Sequence, residues 1–171
     1  MEHILFIDIE TVSQYENYEA VPEKYQSIWE KKYTKNDYLN SLPIEESYRE
    51  KAAIFAEYGK VVCISIAYYH LSQDELRIKS FYSNDEKKLL GEFHDFCLHL
   101  KKNYIFCGHN IKEFDIPYLC RRFLINGFAI PPILNFQSKK PWEIEMIDTL
   151  QLWGCAHLLT RFQRKADCTS Y

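Results

Sequence analysis

The feature that most constrains this chain stands at its start, in HILFIDIET, residues 3–11, where an apolar run closes on two acids separated by one isoleucine. Ile4 to Ile7 read as a strand buried on both faces. Side chains alternate along a strand, so Asp8 and Glu10 share one face while Ile9 turns back toward the interior. The backbones of the two acids then stand only about 7 Å apart along one edge. Carboxylates crowded at the end of a buried strand repel each other and resist desolvation unless a cation joins them. A buried first strand that ends this way calls for a metal ion.

The rest of the chain has the means to bury such a strand. It has 171 residues, 47% hydrophobic and 16% aromatic, enough for one compact domain with a sizeable core. The six cysteines, at 63, 97, 107, 120, 155 and 168, form no Cys-x-x-Cys pair, so neither a zinc knuckle nor a redox pair is spelled out. Most lie inside apolar runs and read as small core residues. No signal peptide is expected, and no apolar run approaches the roughly 20 residues of a membrane span, so the expected location is the reducing cytoplasm, with no membrane partner. Net charge is −3, and the Lys-Lys pairs at 31, 87, 101 and 139 are scattered. That argues against affinity resting on a broad basic face, the footprint of non-specific duplex binding, while leaving room for a local groove.

A pass along the chain predicts alternating strands and helices. Residues 13–58 read as a polar, Tyr-rich helical insertion, with helices over Pro22 to Tyr33 and after Ser41-Leu42-Pro43. KVVCISIAYY, residues 60–69, and LRIKSFY, residues 76–82, read as a hairpin beside the first strand. Ser83 and Glu86 have capping-box spacing ahead of a helix whose Leu89, Leu90, Phe93, Cys97 and Leu100 share one face. YIFCG, residues 104–108, is a short buried strand, and a second helix is expected from about Phe114 to Asn126, stopped by Gly127. EIEMID ends a last strand at Asp148. The order implies an α/β fold, a mixed sheet flanked by helices, with sites where strands end.

The second constellation is GHNIKEFDIPYL, residues 108–119, which leaves a buried strand and enters a helix with Asp115 in its first turn. The helix dipole favours a carboxylate there, and the preceding strand is in a position to run beside the first. Asp8, Glu10 and Asp115 would then converge on one point. Three convergent carboxylates are the oxygen-rich setting that suits Mg²⁺ or Mn²⁺, and two such ions about 3.5 to 4 Å apart serve phosphodiester hydrolysis.

FIDIET together with GHNIKEFDIPYL resembles the first two motifs of the DEDD, or DnaQ-like, 3′-to-5′ exonucleases, which have a ribonuclease H-like fold. The resemblance is nearest to the exonucleases related to the proofreading domain of family B DNA polymerases, since IWEKK and EYGKVVCISIAYY are similar to that group's insertion and second strand. It covers roughly residues 3–153. The resemblance implies that Asp8, Glu10 and Asp115 are the catalytic acids and hold two divalent cations, Mg²⁺ or Mn²⁺. It implies that Asn110 and Thr11 contact the terminal nucleotide of a single-stranded DNA or RNA 3′ end. Phe114 is placed either near the terminal base or in the core, and His109 either in the groove or in a structural turn. Asn110 and Glu113 also have capping-box spacing, and Arg121 and Arg122 read as a solvated helix face.

The family's third motif, Tyr or His followed by Asp four residues on, is not found. Ile144 precedes Asp148 at that spacing, and Gln163 precedes Asp167. Asp148 is open to two readings, a substitute metal ligand or, with Gln151, a helix cap. The expected organisation is an exonuclease-like domain over residues 1–153, C-terminally incomplete, with an atypical tail over 154–171 in place of the final helix. Two other functions compete with an active exonuclease. One is a catalytically impaired nucleic-acid-binding remnant of the same fold. The other is a haloacid-dehalogenase-like phosphotransferase, whose nucleophile motif Asp8-Ile9-Glu10-Thr11-Val12 loosely resembles, although GHNIKEFDIPYL has no role in it.

Overall fold

A computed structural model describes residues 3–100, 104–136, 139–140 and 143–154. Five strands form one mixed sheet: β1 (Ile4–Ser13), β2 (Gly59–His70), β3 (Glu75–Tyr82), β4 (Ile105–Gly108) and β5 (Met146–Asp148), in the order β3-β2-β1-β4-β5. β1 to β3 run antiparallel as a meander, and β4 and β5 join β1 in parallel. Parallel neighbours need crossovers, and α3 (Glu86–His99) and α4 (Asp115–Ile125) supply them. This is the expected α/β mixed sheet. The expectation of an altered C-terminal tail falls on residues 155–171, outside the described residues.

The core lies between one sheet face and the two helices. Leu5, Ile7 and Ile9 of β1 and Ile64 and Ile66 of β2 meet Leu89, Leu90 and Phe93 of α3 and Tyr118, Leu119 and Phe123 of α4. The sheet is not buried on both faces at β1, as its apolar run suggests. Phe6, on the face it shares with Asp8 and Glu10, is 41% exposed, and Ile78, which lies in the same row of the sheet beyond Ala67, is exposed as well. Alternation, rather than the unbroken apolar run, decides which side of β1 is covered.

β2 shows why two apolar phases occur in one strand. Glu10 pairs with Cys63 and Thr11 with Val61, so Val62 is an extra residue in the ladder. The bulge shifts the alternation by one, and Val61 and Ile64 both reach the interior although three residues apart.

Between β1 and β2 lie α1 (Glu23–Tyr33) and α2 (Ile44–Lys51), each entered from a proline, Pro22 and Pro43. They close on a separate small core around the fully buried Trp29, which meets Tyr48 and Tyr58 edge-on at centroid distances of 5.2 and 4.9 Å.

Two local expectations give way to tertiary demands. The Ser83–Glu86 capping box does not form: Asp85 caps α3, accepting from Lys87 N at 2.9 Å and Lys88 N at 3.3 Å. Glu86 turns inward instead, where its Oε1 accepts from Val61 N and Arg122 Nε, both at 2.8 Å. Arg122 is correspondingly no solvated residue but 2% exposed, ion-paired with Glu86 and donating from Nη1 to the carbonyl of Ala56 at 2.7 Å. A buried guanidinium needs an anion and acceptors, and Glu86 is the acid within reach. The pair ties α4 to α3, β2 and the end of the insertion.

Candidate active site

β4 accompanies β1 only as far as the pair Phe6–Cys107 and stops at Gly108. Past that point one edge of β1 lacks a strand partner, and a side chain takes over. Asp115, at the start of α4, accepts from Ile9 N through Oδ1 at 3.1 Å. The contact spans 106 positions of sequence and places Asp115 between the backbone positions of Asp8 and Glu10.

A tight turn delivers Asp115 to this edge. At Gly108 a Cβ would stand 2.2 Å from Ile111 Cγ2 and 2.6 Å from the carbonyl oxygen of Ile7, so only glycine lets the chain pass. Asn110 then adopts φ +61°, a left-handed conformation that Asn tolerates better than most residues. Its carbonyl accepts from Glu113 N at 3.2 Å and Phe114 N at 2.9 Å, closing the turn from which α4 starts. The capping box suggested by Asn110 and Glu113 is therefore a backbone turn, and the residue ahead of α4 is Phe114.

The electrostatics at the edge are unfavourable to an isolated anion. Asp115 is 3% exposed, and its carboxyl is pushed up to about 6 by burial. The charges of Asp8 and Asp148 push the same way, opposed by the backbone N–H groups of Ile9 and Asp115 itself. Asp148 behaves in the opposite sense. Burial works against its charge, but N–H groups of Lys112, Asn110, Leu150 and Gln151 hold its carboxyl below the usual range.

The remaining candidates fall at different distances from this edge. Asp8 and Glu10 lie on the exposed face of β1, as alternation requires, and Asp8 is the one whose charge acts on Asp115. Among the described residues no group of three His, Cys, Asp or Glu side chains stands ready to hold a metal. Thr11 lies just past the bulge, beside the Tyr118 hydroxyl, which donates to the carbonyl of Ala53 at 2.9 Å. Phe114 is half-buried and tilted against Tyr118 at 5.3 Å between ring centroids, on the core side of the loop. His109 is exposed, with Nδ1 3.0 Å from the Thr149 hydroxyl, which in turn donates to the carbonyl of Gly108 at 3.1 Å. Thr149 thus belongs to the site's frame, and sequence reasoning passed over it; its only signal is a hydroxyl directly after the Asp that ends β5. Residues 149–154 are helical, and Asp148 accepts from Leu150 N at 3.0 Å, as a cap does. Gln151 does not complete a capping box, because its Oε1 accepts from Lys112 Nζ at 3.0 Å.

A cleft of about 330 Å³ opens beside Asp8 on the exposed sheet face, lined by Phe6, Ser65, Ala67, Ile78 and His109 among others. A second cleft, of about 470 Å³, lies between α4 and β5 against Ile116, Cys120, Leu134 and Met146 and includes none of the three acids. Asp8 lines the first cleft, Glu10 lies on the same face of β1, and Asp115 is buried at the strand edge beside them, which makes this part of the sheet, where β4 and β5 end, the candidate active site.

The comparisons with known proteins bear on the same elements. The family model of the DNA polymerase family B exonuclease domain matches residues 3–152, from the start of β1 through Asp148. A solved structure, the family B DNA polymerase from the hyperthermophilic archaeon Pyrobaculum calidifontis, is similar at 17% identity and a TM-score of 0.41. That likeness covers 74% of this chain and 11% of the polymerase. No curated protein sequence matches the chain. The family match alone spans both acid-bearing motifs and the insertion between them, and on it the chain belongs to the DEDD-type exonuclease domains related to the proofreading domain of family B DNA polymerases.

Proposed function

We propose that this chain is a metal-dependent 3′-to-5′ exonuclease that removes nucleotides from a single-stranded DNA or RNA end. The observation that carries the reading is Asp115, an acid held at the bare edge of β1, desolvated and facing the charge of Asp8. A carboxylate in that setting gains more from a cation than a solvated one does, so the donor chemistry suits a hard divalent ion such as Mg²⁺ or Mn²⁺. Asp8 and Asp115 would hold it, with Glu10 drawn in from the same face of β1. Two such ions supply positive charge against the attacking and leaving oxygens of a phosphodiester.

The chain's own groups do the rest. The cleft beside Asp8 is the right size for a nucleotide, with Phe6 and Ile78 offering an apolar floor and Ser65 a hydroxyl. His109 lines it and Asn110 follows on the same loop, Thr11 comes directly after Glu10 on β1, and Phe114 directly precedes Asp115 while packing toward Tyr118. In this reading residues 1–153 form the exonuclease-like domain, 13–58 its helical insertion, and 154–171 a tail outside it, and the protein works in the cytoplasm.

A second reading has its own support. Neither the third motif nor a ready group of three ligands is found among the described residues, which suits a remnant that binds nucleic acid without cleaving it. Hydrolysis of 5′-labelled single-stranded DNA and RNA oligonucleotides with Mg²⁺ or Mn²⁺ separates the two. Stepwise shortening from the 3′ end, abolished by Asp8→Ala and by chelator, is the expected result. Binding without any shortening in a single-turnover assay would select the remnant.

A further inference from the structure

We propose that Asp148 is a positioning residue, a carboxylate clamp that holds the 109–114 loop so that Asp115 reaches the edge of β1, and that it is not a metal ligand. The inference rests on the reading above only for the role of Asp115.

Asp148 is 4% exposed at the end of β5. Its Oδ1 accepts from Asn110 N at 2.9 Å and Leu150 N at 3.0 Å, and its Oδ2 from Lys112 N at 3.2 Å. The Gln151 N–H also favours its charge. An ionised carboxylate offers about four lone-pair sites, and three backbone amides hydrogen-bonded to it take up most of them. Little is left with which to coordinate an ion. What the arrangement does is fasten two segments nearly forty positions apart, the loop after β4 and the helical turn after β5.

The clamp acts where the loop is least able to hold itself. Asn110 carries the left-handed φ of +61°, and its amide is one of the two loop donors. From there the connection runs through backbone: the Asn110 carbonyl accepts from Phe114 N at 2.9 Å, the carbonyl of the fully buried Ile111 accepts from Ile116 N at 3.1 Å, and Asp115 lies between. Asp115 then takes Ile9 N. On the other side Thr149 fastens the Gly108 carbonyl, so both ends of the turn are tied to the residues that follow β5. Removing Asp148 leaves the Asn110 and Lys112 amides without their acceptor and frees the turn that sets Asp115.

The test is amide hydrogen exchange of the ¹⁵N-labelled full chain in chelator, comparing the wild type with Asp148→Asn and Asp148→Ser. Serine still caps Leu150 but is too short to serve both loop amides, so it carries the test if the Asn variant does not fold. The expected result is exchange faster by about tenfold or more at Asn110 and Lys112. Ile9, which does not touch Asp148, should accelerate too, while Leu5 and Ile64 in the same sheet keep their rates. Unchanged exchange at Ile9 would overturn the positioning role. Mn²⁺ titration supplies the second arm: the serine variant should bind the same number of ions as the wild type, and loss of one ion with Ile9 exchange unchanged would make Asp148 a ligand. A wild type that binds no Mn²⁺ would count against the exonuclease reading, and the exchange rates would still decide the clamp.

Discussion

Replacing Asp115 by Asn should stabilise the metal-free protein at neutral pH while removing the acid that the proposed chemistry needs. In the fold its carboxyl titrates at about 6 instead of the ordinary 3.8, because burial penalises the charge and Asp8 and Asp148 face it. The folded state therefore holds this proton more tightly than the unfolded chain does. The resulting stabilisation is full below pH 3.8 and is lost as pH rises through 6. The gap, 6 less 3.8, is about 2 pH units, which at roughly 1.4 kcal/mol each makes the ionised group cost about 3 kcal/mol at pH 7.5. The amide carries no charge and keeps an oxygen for Ile9 N. Urea denaturation followed by tryptophan fluorescence, in chelator at a series of pH values, should find Asp115→Asn more stable by about 2 to 3 kcal/mol at pH 7.5, or roughly 5 to 10 °C in Tm for a chain this size. The advantage should shrink steadily as pH falls from 6 toward 4. Mg²⁺ or Mn²⁺ should raise the Tm of the wild type and not that of the variant. A variant less stable than the wild type throughout, or a difference independent of pH, would refute the claim that a buried, crowded charge is what Asp115 contributes.

Three further outcomes follow from the geometry. Arg122→Met should cost about 3 to 5 kcal/mol in urea denaturation by leaving Glu86 buried without its cation, and adding Glu86→Leu should recover most of that; a loss below about 1 kcal/mol would remove the pair from the fold's supports. Gly108→Ala should cost about 1 to 3 kcal/mol and abolish Asp115-dependent ion binding, because the new methyl meets Ile111 and the Ile7 carbonyl; an unchanged denaturation midpoint would show that the turn can relax. Cys97, whose thiol burial pushes up to about 12, should resist a thiol reagent at pH 8 in the native protein and react once urea unfolds it; prompt labelling mapped to Cys97 in the native state would contradict its place on the buried face of α3.

Much of this architecture is legible along the chain. The β2–β3 hairpin, the two crossover helices, the prolines that open α1 and α2, and the strand ends at Gly108 and Asp148 all lie where local pattern puts them. So do Asp8 and Glu10 on one face of β1 and Asp115 in the first turn of α4. What the pattern misjudges are polar groups whose partners lie far away. Glu86 has capping-box spacing, and Arg122 sits on a helix beside an exposed Arg121, yet both are buried because each supplies the other's counter-charge. The unbroken apolar run of β1 likewise suggests burial on both faces, whereas coverage depends on where α3 and α4 pack.

By itself, then, the sequence determined the elements, their order and the family, because hydrophobic period, turn residues and two short acid-bearing motifs are written within windows of a few residues. The tertiary structure alone decided what each acid experiences. Asp115 becomes a reluctant anion by meeting the amide of Ile9, 106 positions away, at an edge that β4 leaves bare. Asp148 becomes a contented one by gathering amides from two distant loops. Residue type and local spacing are the same kind of information for both; desolvation and hydrogen-bond supply are properties of the closed fold, and they set the two carboxylates apart.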